Sequence, residues 1–512
     1  MAGQNEKEVS SEHFYKQRRE QIREAEANGF NWYPHKFHVK ETFSEMVNEA
    51  NQVENDSMTE RVVQAAGRIT ATREHSKSNF YTVVYNDESI QLVLKKETPE
   101  KIKVADLMRR GDIVGFVGRC GRTRHGEPSV FCSEIVILAP CMRVIPSVKN
   151  LLTNAETIYR NRHLDLLVNS ESKQRFKNRS RIINHIRKYF VAMDFMEVET
   201  PIMNSKVGGA SAQPFITHHN ELKMDLFMRV APELFLKMLV VGGMERVFEI
   251  GKNFRNEGID LTHNPEFTAI ECYMAYADYR DLMAIVEGLL NELAILIRGS
   301  EKFTYSPAKR GTAEEIKVEL DWSVPFKRLD ILDELNRELG LEMDGESITR
   351  PEILEILIKK AESRGIELKE PKTLNRVLDA FIGEYIEPKC INPTFVTGFP
   401  VVMSPLAKDD RNRAGLTERF EMFVNGKELV NAYTELNIPD VQRERFEMQA
   451  KDAAAGDTEA MPVDEDFCQV LEYALPPTGG LGIGIDRLVM YLTDAANIRD
   501  VILYPSMKPE QN

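Results

Sequence analysis

Asn425-Gly426 stands between two strand-like runs, residues 420–424 and 427–430. Two residues that both accept positive φ, flanked in this way, are the strongest short-range signal for a tight β-hairpin. A second hairpin reads from residues 249–257 and 266–273, two strand-like runs around a loop rich in Gly, Asn and Pro. Hairpins join antiparallel strands, and the surrounding helix-like and strand-like segments show no regular βαβ alternation. The expectation is therefore an α+β domain built on an antiparallel sheet. An amphipathic helix precedes it, marked by Phe176, Ile183, Ile186, Phe190 and Met193, and the strand-like run after it stops at Pro201.

Upstream the texture changes. From Val62 to about Cys141 the chain has short runs rich in Val, Ile, Phe and Tyr, such as 80–85, 90–94 and 113–117, divided by Asn-Asp, Gly and Pro breaks. Several short strands in so few residues suggest a small barrel, and the five-stranded oligonucleotide-binding barrel is the natural candidate. Before it, a helix is expected through residues 14–27, closed by Asn28-Gly29. The resulting division is 1–60 as a helical appendage, 61–141 as the barrel, 142–168 as a linker and 169–512 as the large domain.

The net charge of −14 argues against a surface coated with cations for indiscriminate nucleic-acid binding. Residues 61–127 depart from that balance, with thirteen Lys/Arg against eight Asp/Glu, so nucleic acid would bind there first. No apolar run is long enough to span a membrane. Residues 1–20 have the pattern of neither a secretory signal nor a transit peptide, which leaves the cytosol as the expected compartment. The six cysteines form no C-x-x-C pair or Cys/His cluster, so they read as buried or idle thiols.

Two segments carry chemistry. In the hairpin at 249–273, strand alternation puts Arg255 and Glu257 on one face and Phe267, Glu271 and Tyr273 on one face of the partner, so a cation, carboxylates and rings could line one surface. Taken alone, the segment reads more readily as a solvated strand face. The second is Thr478-Gly479-Gly480-Leu481-Gly482-Ile483-Gly484-Ile485-Asp486-Arg487, where glycines allow close backbone approach to a ligand and Arg487 follows at a helix start. It is not the dinucleotide fingerprint, because no βαβ unit surrounds it.

Together the helix and strand ending at Pro201, the Phe254-Arg255-Asn256-Glu257 hairpin and Gly482-Ile483-Gly484-Ile485-Asp486-Arg487 resemble the three ordered signature motifs of class II aminoacyl-tRNA synthetases. Arg229-Val230-Ala231-Pro232-Glu233-Leu234, Asn264-Pro265-Glu266-Phe267 and Ala432-Tyr433-Thr434-Glu435-Leu436-Asn437 are similar to the lysyl-tRNA synthetases among them. The resemblance runs from about Glu12 to Pro509. It implies an antiparallel-sheet catalytic domain, with an insertion between the second and third motifs, behind an anticodon-binding barrel. It also implies a cytosolic homodimer using ATP, L-lysine and the tRNA for lysine; membership of a multi-synthetase complex is not legible. The expected reaction is attack of the lysine carboxylate on the ATP α-phosphate, then transfer to the tRNA 3′ end.

The same resemblance implies residue roles. Arg255 and Arg487 are the catalytic cations. ATP would be held by Arg255, Glu257, His263, Asn264, Phe267, Glu421, Glu428 and Arg487, with Phe267 and Arg487 on either side of adenine. Lysine would be held by Gly209, Glu233, Arg255, Glu271, Tyr273, Asn431 and Glu435. Arg73, Phe80, Gln91 and Glu127 would meet the anticodon. Residues 306–321 look like a local insertion. A paralogue that modifies protein would lack the barrel, and a non-catalytic relative would lack Arg255, Arg487 or the metal carboxylates.

The resemblance further implies that Glu421 and Glu428 hold Mg2+, whereas the residues alone read more readily as two exposed acids on a hairpin. A two-residue turn at Asn425-Gly426 sets Phe423 opposite Glu428 and Glu421 opposite Val430, with both carboxylates on one face. Strict alternation then sends Asn431 and Glu435 to the other face, so a bulge or sharp twist is expected between Glu428 and Asn431.

Overall fold

The structure, a computed structural model, describes residues 11–146, 152–307, 316–454 and 462–509, and divides into two compact units, Met1–Leu152 and Thr153–Asn512. In the first, five strands close a barrel: β1 (Met58–Glu74), β2 (Ser78–Tyr85), β3 (Glu88–Lys95), β4 (Ile113–Arg122) and β5 (Pro128–Ala139), in the order β1-β2-β3-β5-β4. Alternation fixes what points in. Tyr81 and Val83 join Val63, Ile69, Leu92 and Phe116 in the barrel core, while Phe80 and Thr82 face outward. The N-terminal helix spans Ser11–Ala27 and ends where Gly29 takes φ +76°. Its Ile22 and Ala25 share the barrel core, and a buried Arg18–Asp112 ion pair at 2.7 Å ties it to the loop before β4.

The second unit contributes β6 (Met196–Glu197), β7 (Met203–Asn204), β8 (Ile216–His219), β9 (Met224–Met228), β10 (Arg246–Phe254), β11 (Glu266–Ala275), β12 (Lys302–Tyr305), β13 (Val318–Asp321), β14 (Lys327–Asp330), β15 (Thr394–Thr397), β16 (Arg419–Val424), β17 (Lys427–Thr434) and β18 (Thr478–Gly484). Eight form one sheet in the order β14-β15-β16-β17-β18-β11-β10-β6. It is antiparallel from β15 through β10, as expected, but its edge pairs β14/β15 and β10/β6 are parallel. The parallel edges arise because long connections, not turns, deliver those strands. The helices Ser170–Ala192, Tyr279–Arg298 and Ile485–Leu492 cover one sheet face, burying Ile186, Phe190, Leu289 and Leu488 against Phe248, Ile270 and Ile483. The other face is left for the site.

Both hairpins form. At Asn425 (φ 49°) and Gly426 (φ 69°) the chain turns from β16 into β17. Between β14 and β15 the helices Ile331–Leu339, Pro351–Arg364 and Leu374–Tyr385 build a core of their own around Leu335, Leu357 and Phe381. Of the expected insertion at 306–321, residues 308–315 lie outside the described residues; its flanks β12 and β13 pair antiparallel. Among the described residues no helix is long and apolar enough to cross a membrane.

Candidate active-site cleft

The central strands register so that two rows of residues cross the sheet. One row runs Glu421, Asn431, Gly482, Glu271; the next runs Arg419, Tyr433, Gly480, Tyr273. Glycines at the centre of both rows open a cleft of about 490 Å³ over the sheet. A Cβ on Gly482 would meet nothing nearer than 3.7 Å, so any larger side chain would stand in the cleft; a Cβ on Gly480 would collide with Glu435 and lie 2.6 Å from the Tyr273 ring. The glycine-rich run is thus strand as well as cradle, ending at the helix that carries Arg487.

The register of β16 against β17 contains one irregularity. Phe423 pairs with Glu428 as expected, but Met422 pairs with Val430, so Leu429 is an extra residue and Glu421 comes opposite Asn431, not Val430. This bulge lies between Glu428 and Asn431. It is the device by which Glu428, Asn431 and Tyr433 all line the cleft.

One end of the cleft carries Arg255, Phe267, His263 and Arg487. The Arg255 guanidinium lies 5.2 Å from the Phe267 ring centre, and its buried Nε has no hydrogen-bond partner. β10 ends at Phe254, so Arg255 and Glu257 project from the start of the loop and not from a strand face; both still line the cleft. Arg487 donates to the Glu428 carbonyl at 2.5 Å and meets His263 Nε2 at 2.9 Å. Asn264 is buried and leaves its Oδ1 without a partner. Burial pushes the Glu421 carboxyl up to about 8, with Arg419 opposing and the charges of Glu428 and Asp379 adding.

The other end is acidic. Glu233, at the start of the helix Glu233–Val241, accepts from the Tyr433 hydroxyl at 2.8 Å and from Lys237 at 2.7 Å. Glu271 accepts from the Tyr273 hydroxyl at 3.2 Å, and burial pushes its carboxyl up to about 8, the charge of Glu233 adding. Gly209, at φ +89°, brings its loop onto the same wall beside Glu233. Glu435 does not itself line the cleft: it is fully buried directly behind Gly480, which does, and pairs with Lys237.

On the barrel, Arg73 is the cross-strand partner of Phe80, whose ring meets His75 edge-on at 5.4 Å. Gln91 donates to Ser129 Oγ at 2.9 Å, and that hydroxyl donates to the Glu127 carbonyl at 3.1 Å. The four thus fall into two adjoining pairs.

Sequence reasoning missed Lys237, Tyr433, Arg419 and Asp486. Alternation from Asn431 could have found Tyr433. The four-residue spacing of Glu233 and Lys237 in an otherwise apolar helix could have flagged Lys237. Arg419 donates to Glu421 and Asn431 at 2.5 and 3.1 Å, a link only the fold reveals.

The cleft thus sets a cationic, aromatic end against an acidic one across a glycine cradle. Residues 154–508 match the profile described as "tRNA synthetases class II (D, K and N)", and residues 63–138 match "OB-fold nucleic acid binding domain". The chain is 66% identical over 99% of both chains to a "Probable lysine--tRNA ligase, cytoplasmic" of Enterocytozoon bieneusi. It is 55% identical to a protein of the same name from Encephalitozoon cuniculi, again over 99% of each, and 44% identical to a "Lysine--tRNA ligase" of Enterococcus faecalis over 92% of this chain and 89% of that one. The chain belongs to the lysine–tRNA ligase family of class II tRNA synthetases.

Proposed function

We propose that this cleft activates L-lysine with ATP and that the enzyme then loads lysine onto its tRNA in the cytoplasm. The observation that carries this reading is the division of one cleft into a cationic, aromatic end and an acidic end, with glycines between them. The lysine carboxylate attacks the ATP α-phosphorus, a P–O bond forms, and the bond to pyrophosphate breaks. A hydroxyl of the tRNA 3′-terminal ribose then attacks the lysyl carbonyl and AMP leaves. No side chain need act as nucleophile, so catalysis is positioning plus electrostatics.

In this assignment the Arg255 fork bridges the lysine carboxylate and the α-phosphate, which a single ammonium could not do. Phe267 and Arg487 sandwich adenine, Glu257 accepts from its amino group, and His263 and Asn264 lie by the nucleotide. The Gly209 carbonyl and Glu233 take the α-ammonium, Asn431 the carboxylate, and Glu271, Tyr273 and Glu435 the ε-ammonium. Glu421 and Glu428 would hold Mg2+, whose charge would offset that of the phosphates. The donor set fits that ion: both carboxylates line the cleft, and magnesium favours one or two carboxylates completed by phosphate and water. Burial raises the Glu421 carboxyl, so a cation binding there would displace its proton and then hold the group ionised.

The outward face carrying Arg73, Phe80, Gln91 and Glu127 is assigned to the anticodon, where stacking on an aromatic is worth about 1–3 kcal/mol per base. The homodimer is inferred from the family, and exposed Met196 and Met203 flank the segment ending at Pro201. The test is ATP–pyrophosphate exchange with a panel of amino acids, followed by charging of tRNA. Exchange that depends on lysine alone is expected; exchange with another amino acid, or none, overturns the assignment.

A further inference from the structure

Lys237 has no role in the reaction as just described. It lies in Glu-Leu-Phe-Leu-Lys-Met-Leu-Val-Val, an otherwise apolar helix apart from Glu233, and its side chain is wholly buried. Burying an ammonium among apolar groups is costly unless charges and hydrogen bonds compensate it. Two carboxylates do so: Nζ donates to Glu233 at 2.7 Å and pairs with Glu435, while the Tyr433 and Phe467 ring centres lie 5.8 and 5.7 Å away. Burial alone would push this ammonium down, yet the two carboxylates outweigh it and hold it above its ordinary range.

The same contacts matter from the carboxylate side. Glu233 reaches the cleft wall with both oxygens engaged, by Tyr433 and by Lys237. Glu435 stands behind Gly480, where it has Lys237 as counter-ion and one oxygen, Oε1, in contact distance of where a Gly480 Cβ would be. Glu233 and Glu435 thus share the one internal ammonium, and Glu271, raised by burial, is the acid left to give up its proton to the further cation that a diamino acid brings.

We infer that Lys237 is a positioning and specificity-determining residue of the amino-acid pocket: it orients Glu233 and Glu435 from behind and balances them while the pocket is empty. This rests on the lysine reading above. Lys237 does not touch the substrate; it acts through the two carboxylates. Without it, the burial that already raises the Glu435 carboxyl would go unopposed, a proton would replace the cation, and Glu233 and Glu435 would lose the counter-ion that orients them.

The test is Lys237→Met, close in length and without charge, in ATP–pyrophosphate exchange beside the unaltered enzyme. The lysine KM should rise at least about tenfold, the scale of losing a charge-assisted hydrogen bond, with the ATP KM within about twofold. A residue that only supports the fold would lower kcat or shift both KM values together. If Lys237→Met does not fold, Lys237→Met/Glu435→Gln removes one charge of each sign and keeps the pocket's net charge. Its lysine KM should lie within about threefold of that of Glu435→Gln, because two groups acting as a unit are not additive. A lysine KM unchanged in the single variant, or a double variant in which the two losses multiply, overturns the inference. If the unaltered enzyme itself shows no lysine-dependent exchange, the lysine reading has failed and not the role of Lys237 alone.

Discussion

The Asp486 carboxylate accepts the backbone N–H of Thr268 at 2.6 Å on one oxygen, and on the other it holds Arg179 at 2.6 Å. Thr268 follows Phe267 and Asp486 precedes Arg487, so a single buried carboxylate joins the strand that presents the ring to the helix that presents the guanidinium. Asp486→Asn keeps the size but turns one acceptor into a donor, leaving a buried N–H or the Arg179 fork unmatched at a cost of about 1–3 kcal/mol. The ATP KM should therefore rise about tenfold, with the lysine KM little changed. Steady-state exchange kinetics decide this, and an unaltered ATP KM would reduce Asp486 to a packing role.

Arg255 stands against the Phe267 ring with its Nε unpartnered, a guanidinium with bonding capacity in reserve. Arg255→Ala should lower lysine-dependent exchange by at least about a hundredfold, the scale of removing a donor that meets charge developing in the transition state. Equal activity in the variant would remove Arg255 from the reaction.

Phe80 belongs to the barrel, where its half-buried, outward ring meets His75 edge-on. Phe80→Ala is expected to spare exchange and to weaken tRNA charging, by the loss of roughly 1–3 kcal/mol of stacking. Both steps are measured on one preparation. If exchange falls as far as charging, the ring serves the fold and not the anticodon.

Glu421 and Glu428 line one cleft, and the Glu421 carboxyl is raised by burial with the charge of Glu428 adding. A cation should relieve both. In Glu421→Gln and Glu428→Gln the magnesium needed for half-maximal exchange should rise several-fold, roughly the tenfold per lost ligand contact that about 1.4 kcal/mol represents. A magnesium titration in which neither variant shifts and neither loses kcat refutes the pair as the metal site.

How far the fold was legible follows from which residues set it. Asn425-Gly426 dictates its turn through local backbone preference, and the strand runs of the barrel announce themselves by alternation; both are short-range signals. The bulge at Leu429 was legible only as a contradiction, since Glu428 and Asn431 could not share a face without it. The parallel edge pairs depend on how long connections return, which no local pattern encodes. In the site, the residues carried by the three motifs were readable because each motif is contiguous. Lys237 and Arg419 were not, because their partners Glu435, Asn431 and Glu421 are brought to them by helix packing and by a cross-strand register.

The raised carboxyl of Glu271 makes lysine binding depend on pH, and the sign can be worked out. Burial, with the charge of Glu233 adding and the Tyr273 hydroxyl and Arg255 opposing, pushes this group from 4.5 up to about 8 in the empty pocket. Below that value the carboxyl is protonated, and an incoming ammonium must expel the proton before it can pair. The lysine Kd should therefore fall as pH rises from 6 to 8, by up to about tenfold per unit, and level off above, with a proton released on binding. Stability of the ligand-free protein runs the other way. A group whose pKa is raised on folding contributes stability that is fully present below its unfolded value and lost as pH rises through the folded one, here between about 4.5 and about 8. The Tm of the unliganded enzyme should then drop across that window relative to Glu271→Gln, and saturating lysine should offset the drop most at the alkaline end. Calorimetric titration in buffers of different ionisation enthalpy reads the proton directly. If the Kd is flat in the unaltered enzyme, or Glu271→Gln keeps the same slope, the proton belongs to another group and Glu271 does not face the substrate's cation.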